Sequence, residues 1–576
     1  MKKEVVILGG GVAGMSAAHE LINRGFTVSV YELNNIAGGK ARSTLVDDSA
    51  SGNRKPLPGE HGFRFFPRFY KHITSTMKEI PFKNGKVYDN LVDTSEIRVA
   101  RAGAKSLFMP AKCPTSLNQI KYFINKNAGV ELGLNEDEKS FFAQRIWQLM
   151  TSCYERRKQE YERLSWWEFM EADRFSEAYK TYFVKGLTRT LVAARAEKVS
   201  TKTGGDILLQ LTFDILKPGM SSDRILNGPT NEVWINPWLD YLQKKGVKYY
   251  FNHEVVELTC MQDKIITAKL KSGNNNIEIK ADYFISALPV EKFATLINKE
   301  MKEIDPTLES IPALAQNVSW MNGLQLYLTK DIQINQGHTI YIDSPWAITS
   351  IAQNQFWADY DWTLIGDGTI KGLLSVDISN WESPGVIYGK AAKECNTTEI
   401  VQEVWTQLKQ SLNVNGETIL DDNDLHFWNL DTSIVTSVPA INKEPLLVNN
   451  AGSWALRPFA YTDIKNLFLA SDYVKTNTDL ATMEGANEAA RRAVNAIIDA
   501  SGANVPYCKI WDLKEPWFLA IFRWKDKIRY NKGLPWQVNL PWYIQLLANV
   551  LGWLLQLFAK INLLPGIKQF ININKK

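Results

Sequence analysis

The chain has 576 residues, enough for more than one ordinary domain and for a large buried core. With 45% hydrophobic and 22% charged residues it is not a disordered or fibrous chain. A net charge of +4 over this length, without a DNA- or RNA-reading module, argues against a nucleic-acid partner.

The first elements follow at once. Val5-Val6-Ile7-Leu8 is a short apolar run, predicted as a strand. Gly9-Gly10-Gly11-Val12-Ala13-Gly14 then leads into a helix through Leu21, and Thr27–Tyr31 is a second strand that ends at Glu32. Strand, Gly-rich turn, helix, strand and acid together make the dinucleotide-binding pattern. Gly9 serves the tight turn, Gly11 the approach of a pyrophosphate, and Gly14 the close packing of helix on strand. Val12 and Ala13 open the helix, whose free N–H groups and positive dipole end face the phosphates. Glu32 is placed to accept hydrogen bonds from a ribose. No signal-peptide pattern precedes the first strand, so a reducing, cytoplasmic setting is expected.

Directly after Glu32 comes Ile36-Ala37-Gly38-Gly39-Lys40-Ala41-Arg42, a second Gly pair with two cations. With this segment the chain resembles the superfamily of FAD-dependent amine oxidases and phytoene desaturases. The resemblance implies FAD, with Gly38, Gly39 and Lys40 near the pyrophosphate and Arg42 near the phosphates or the flavin edge. Pro58-Gly59-Glu60-His61-Gly62-Phe63-Arg64-Phe65-Phe66 is similar to a segment of the plant-type phytoene desaturases, with Arg64 where that family has His. It implies that His61 and Gly62 lie against the cofactor. Glu60 and Arg64 are the candidate polar groups near the ring.

Further along, Ser165-Trp166-Trp167-Glu168 has the spacing of a capping box, and Ser200 to Asp206 reads as punctuation before an apolar run. Residues 246–260 and 277–290 resemble the superfamily's adenine-side strands, which gives Val255 a backbone contact to adenine. Gly323–Leu328 reads as a strand, and a helix is expected near Glu399–Leu408. Near the end, Asn466–Val474 is a buried strand running into Asp472, followed by a helix from Met483-Glu484-Gly485. The resemblance gives Asp472 a ribityl hydroxyl or the pyrophosphate edge, and sets Met483, Glu484 and Gly485 at the flavin pyrimidine. Five scattered cysteines without a CxxC pair, and six dispersed histidines, suggest neither a disulfide framework nor a metal site.

The tail interleaves aromatic residues and cations over Lys514–Lys527. Trp542 to Ala559 follows, 18 residues without a formal charge. At 100° per residue Gln545, Asn549, Gly552 and Gln556 form a narrow polar stripe, the pattern of a helix lying in a membrane surface. With 19 Trp, 21 Tyr and 25 Phe in the chain, a small lipophilic substrate drawn from a membrane is expected.

The fold class expected is α/β: a Rossmann-like FAD-binding domain of glutathione-reductase type, with two βαβ-derived halves, an inserted α+β substrate domain and an amphipathic helical tail. The FAD domain takes residues 1–105, 225–292 and 440–500, the substrate domain 115–225 and 293–440, and the membrane-associating tail 501–576. The expected enzyme is an FAD-dependent oxidoreductase that desaturates a polyprenoid or carotenoid-like lipid, peripheral on the membrane, with quinone or dioxygen as acceptor. A double-bond isomerase, an amine oxidase and a non-catalytic flavin-stabilised membrane protein are the alternatives. The oligomeric state stays open.

Overall fold

Near-continuous apolar runs suit strands that are covered on both faces, and one parallel sheet of five strands is built from such runs except at its half-exposed edge, Lys248–Tyr250. The five strands are β1 (Glu4–Leu8), β2 (Thr27–Tyr31), β3 (Lys248–Tyr250), β4 (Tyr283–Ser286) and β5 (Leu467–Leu469), in the spatial order β3-β2-β1-β4-β5. The computed structural model describes residues 3–186, 188, 194–437 and 439–537. The uncharged stretch 542–559 and its expected polar stripe lie outside the described residues. Helix α1 (Val12–Ile22) packs on the sheet and against α2 (Met483–Ser501). The small residues Ala17, Ala18, Ala489 and Ala493 are buried in this core, and they let two backbones approach closely. The packed surfaces are tied by polar contacts: Asn487 Nδ2 donates to Ser16 Oγ at 2.8 Å, and Arg491 pairs with Glu20 at 2.9 Å.

Between β3 and β4 the chain forms an antiparallel meander of Glu254–Met261, Lys264–Ser272 and Asn275–Ile279. A second, seven-stranded sheet carries its own core. Its order is Leu425–Leu430, Asn322–Leu328, Gly372–Ile378, Ile348–Ala352, Thr339–Tyr341, Glu96–Arg101 and Ala104–Pro110. Helix Thr397–Leu412 buries Ile400, Val404 and Leu408 in that core. The hairpin 96–110 therefore belongs to this sheet, through the parallel pairing of Arg98 with Thr339.

Helices between Leu117 and Lys185, and the helix Thr201–Ile215, form a separate helical part. The expected capping box is present: Ser165 Oγ accepts from Glu168 N at 3.2 Å and Glu168 Oε2 from Ser165 N at 2.8 Å. The punctuation expected over Ser200–Asp206 is instead the first two turns of helix Thr201–Ile215. Its Gly205 is a packing residue, because a Cβ there would lie 3.0 Å from Leu149 Cδ2. Residues after 501 also pack on the body. Trp511 N donates to His72 Nε2 at 2.9 Å, and helix Ala520–Asn531 is held by Arg156 and Asp526, both fully buried and 3.0 Å apart.

Candidate functional site

The Gly-rich turn after β1 is shaped by steric demand. Gly9 has φ +105°, and a Cβ there would meet Ala287 O at 2.9 Å. Gly14 admits no side chain at all, since its Cβ would sit 1.9 Å from Gly9 O. Gly11 lies beside Gly38 and Gly39, both with positive φ, and a Cβ on Gly39 would be 2.9 Å from Gly11 Cα. Two glycine turns thus press together at the start of α1. No side chain caps α1, so its first N–H groups point outward without an intrahelical acceptor.

These turns open on a cavity of about 940 Å³. Gly9, Gly11, Val12, Ala13, Gly38, Gly39 and Lys40 lie on its wall. So do Glu32, His61, Gly62, Arg64, Val255, Asp472 and Met483. The sheet and loops therefore gather fourteen candidate residues from four distant stretches of chain. Burial raises the Glu32 carboxyl, against the hydrogen bonds of Asn34 and Gly10 that hold it down. Gly10 N donates to its Oε2 at 2.7 Å and Asn34 N to its Oε1 at 2.9 Å. The same carboxylate thus ties the first turn to the second strand and lies at the cavity wall.

Five candidates point elsewhere. Glu60 is buried with its carboxylate turned to Thr230, accepting from N and Oγ1 at 2.9 Å each. Arg42 bonds Gly39 O and Glu444 at 2.9 Å. Glu484 caps the short helix His72–Met77: its Oε1 accepts from Lys71 N, His72 N and His72 Nδ1, and its Oε2 from Ile73 N. Gly485 lacks a side chain because a Cβ would lie 2.6 Å from Leu480 O, and its N–H goes to the capping hydroxyl of Thr482. Gly14 serves helix packing, as expected of it.

A further acid reaches the cavity from the seven-stranded sheet. Gly323 N donates to His61 O at 2.7 Å, and a Cβ on Gly323 would clash with that oxygen. This close approach seats loop 60–62 on the sheet. Opposite Gly323 in the ladder stands Asp377, whose Oδ1 would be 2.8 Å from a Cβ on Gly62. Asp377 Oδ1 and the Nε of Arg64 are buried without a hydrogen-bond partner. Burial pushes the Asp377 carboxyl up to about 7, against the neighbouring Arg64 cation, and burial pulls Arg64 down. His61 Nδ1 lies 2.7 Å from Asp431. Burial would raise Asp431, but His61, Ser433 and Asn322 hold it at about 2.

The cavity fits FAD on its own chemistry. The cradle of Gly9, Gly11 and Gly39 and the uncapped N-terminus of α1 suit a pyrophosphate. Glu32 suits a ribose, and the N-terminal end of α2 at Met483 meets the wall with a positive dipole. The unpartnered atoms of Asp377 and Arg64 await a polar neighbour.

A dinucleotide cradle joined to a buried, charge-poised cavity defines an FAD-dependent oxidoreductase. The model of the flavin containing amine oxidoreductases matches residues 12–498, and the chain belongs to that family. Among curated proteins it is similar to the 15-cis-phytoene desaturase of Synechococcus elongatus, 22% identical over 86% of this chain and 95% of that protein. It is also similar to the zeta-carotene desaturase of Synechocystis sp., 21% identical over 86% and 97%. Among solved structures, an oxidoreductase from Methanosarcina mazei shares the fold with a TM-score of 0.57 at 14% identity, covering 86% of this chain and all of that one. Putrescine oxidase bound to putrescine does so with a TM-score of 0.56 at 12% identity, over 87% and 99%.

Proposed function

We propose that the chain desaturates a lipophilic polyprenoid that it takes from a membrane, with a quinone or dioxygen as final acceptor. The observation that carries this reading is the apolar share of the cavity wall. Phe65, Phe69, Ile207, Leu211, Met321 and Val448 line it, a hydrocarbon surface that the cofactor's phosphates and ribityl chain do not call for. The two desaturases above, matched over most of both chains, support the same substrate class. In this reading the seven-stranded sheet and the helices of 117–215 form the substrate side, and β1–β5 with α1 and α2 the cofactor side.

FAD, when bound, supplies a two-electron acceptor for hydride. Desaturation breaks two adjacent C–H bonds and forms a C=C bond, so one hydride and one proton must leave. Asp377 is the group that this proposal assigns to the proton. Its carboxyl is poised to ionise near neutrality, it lies at the wall, and its Oδ1 has no partner to displace. Arg64 holds the carboxylate form beside the cavity. Lys40 is tied to Pro445 O and lies 3.6 Å from Glu291, which fixes the second glycine turn. The apolar wall excludes water from the reacting carbons.

The test is anaerobic mixing of the holoenzyme with detergent-dispersed phytoene or ζ-carotene, and separately with alkyl amines. Bleaching of the flavin absorbance by the polyenes alone is the expected result. Product without bleaching marks an isomerase, bleaching by amines marks an amine oxidase, and no response to any of them leaves a binding protein.

A further inference from the structure

The helix Ala520–Asn531 has two unlike faces. Leu519, Phe522 and Asp526 point into the protein and are buried. Trp517, Ile521, Trp524 and Ile528 follow at spacings of four, three and four. At 100° per residue Ile521, Trp524 and Ile528 fall within about 60° of one another, opposite Phe522 and Asp526, and Trp517 lies in the 3-10 turn Trp517–Leu519 just before the helix. All four are exposed, Trp517 at 85% and Trp524 at 61%. This apolar stripe is rigidly displayed. Arg156 and Asp526 form a fully buried pair beneath it, and Cys153 N donates to Asp526 at 2.8 Å. Exposed cations, Lys525 and Lys532, flank the stripe.

Trp524 also borders a second cavity, of about 1370 Å³, on the far side of α2 from α1's turn. Lys158, Arg163 and Lys475 lie on its wall. Among the described residues none of the three has a carboxylate within ion-pair distance. Burial, then the Lys158 and Arg457 cations, pulls Lys475 down. Their ring contacts are Tyr154 under Lys158 and Phe459 under Lys475, and Phe459 stacks on Tyr461 at 5.4 Å. Uncompensated cations beside an exposed Trp and Ile stripe match one kind of surface: anionic headgroups above an acyl layer. Beyond Gln537 the chain runs on into the uncharged stretch 542–559, on the same side of the sequence as the stripe.

We propose that the stripe Trp517, Ile521, Trp524 and Ile528, with Lys158, Arg163 and Lys475 beside it, docks on the surface of an anionic lipid bilayer. The proposal rests on the reading that the substrate comes from a membrane, and it names the face that meets that membrane. The stripe enters the headgroup region and the cations take lipid phosphates or carboxylates.

The experiment is co-sedimentation of the full-length holoenzyme with vesicles of phosphatidylcholine alone and of phosphatidylcholine mixed with phosphatidylserine. Trp517→Glu with Trp524→Glu is expected to lower vesicle binding at least about tenfold, with FAD content and melting midpoint unchanged. Lys158→Gln with Lys475→Gln is expected to lower binding to the mixed vesicles by about fivefold per cation and to leave binding to phosphatidylcholine alone untouched. Because these lysines carry no structural pair, this second variant keeps the test open if the first does not fold. Binding as tight as wild type in both variants overturns the proposal. A chain ending at Gln537 that binds vesicles more tightly than the full chain identifies the tail as the occupant of the stripe and overturns it too. So does a stripe variant that breaks a dimer without loss of vesicle binding. Flavin reduction by polyenes in micelles is read separately, so wild-type vesicle binding in both variants, with reduction by polyenes intact, refutes this proposal alone.

Discussion

Asp377 and Glu60 are both buried carboxyls that burial pushes up to about 7, yet only Asp377 reaches the cavity wall. If Asp377 takes the proton, the rate of flavin reduction rises with pH through about 7, because the carboxylate is the active form. Asp377→Asn is expected to lower that rate about 10²–10⁴-fold and to erase this limb of the profile in stopped-flow measurements. Stability carries a second signature. A carboxyl raised in the folded state stabilises fully below its ordinary value of 3.8, and that contribution is lost as pH rises to about 7. The melting midpoint of Asp377→Asn should therefore gain on wild type across this window and run parallel to it above. Asp377 was not legible in the sequence. It stands 315 residues after Gly62 in an ordinary apolar strand, and only the ladder opposite Gly323 brings the two together. Glu60, Arg42 and Glu484 show the converse: a motif fixes a residue's place along the chain, but not whether its side chain turns to the cavity or to a polar partner behind it, an N–H for the two acids and a carbonyl and a carboxylate for Arg42.

At the scale of elements, the two glycines of the first turn separate folding from binding. A Cβ on Gly11 would lie 3.5 Å from its nearest neighbour, an ordinary contact, whereas one on Gly14 would meet Gly9 O at 1.9 Å. Gly11→Ala should keep the melting midpoint of the cofactor-free protein while weakening FAD by about 1–3 kcal/mol, since the methyl group occupies the cradle and costs phosphate hydrogen bonds. Gly14→Ala should lower the midpoint itself, with a destabilisation of about 3 kcal/mol, as α1 is levered off β1. Calorimetry and FAD titration of both variants check the split. The strand–turn–helix was legible because apolar runs and glycines encode it locally. Helix Thr201–Ile215 was not, because Gly204 and Gly205 look like breakers until the packing of Leu149 against Gly205 is seen.

For the whole molecule, the place where the body ends decides how it can be cut. Removal of everything from Glu515 onward would strip one of the two carboxylates of Arg157, and would take Asp526 from buried Arg156, leaving it Glu160 alone. It would also uncover the core beneath Phe522. Taking the buried partner from a buried guanidinium costs up to about 3–5 kcal/mol, and less where a second carboxylate such as Glu160 remains. A chain ending at Gln537 should stay folded and yellow, and one ending at Lys514 should aggregate or melt early, as light scattering and flavin absorbance will report. The parallel sheet adds a matter of timing. Its central strand leaves the ribosome well before two of the others: β4 and β5 follow some 280 and 460 residues later, and α2 ends at Ser501. At about 5–20 residues per second, the flank of β1 that β4 covers stays open for roughly a quarter of a minute to a minute during synthesis. Growth temperature and the supply of chaperones, more than the intrinsic strength of the finished core, should then govern how much active protein a cell recovers.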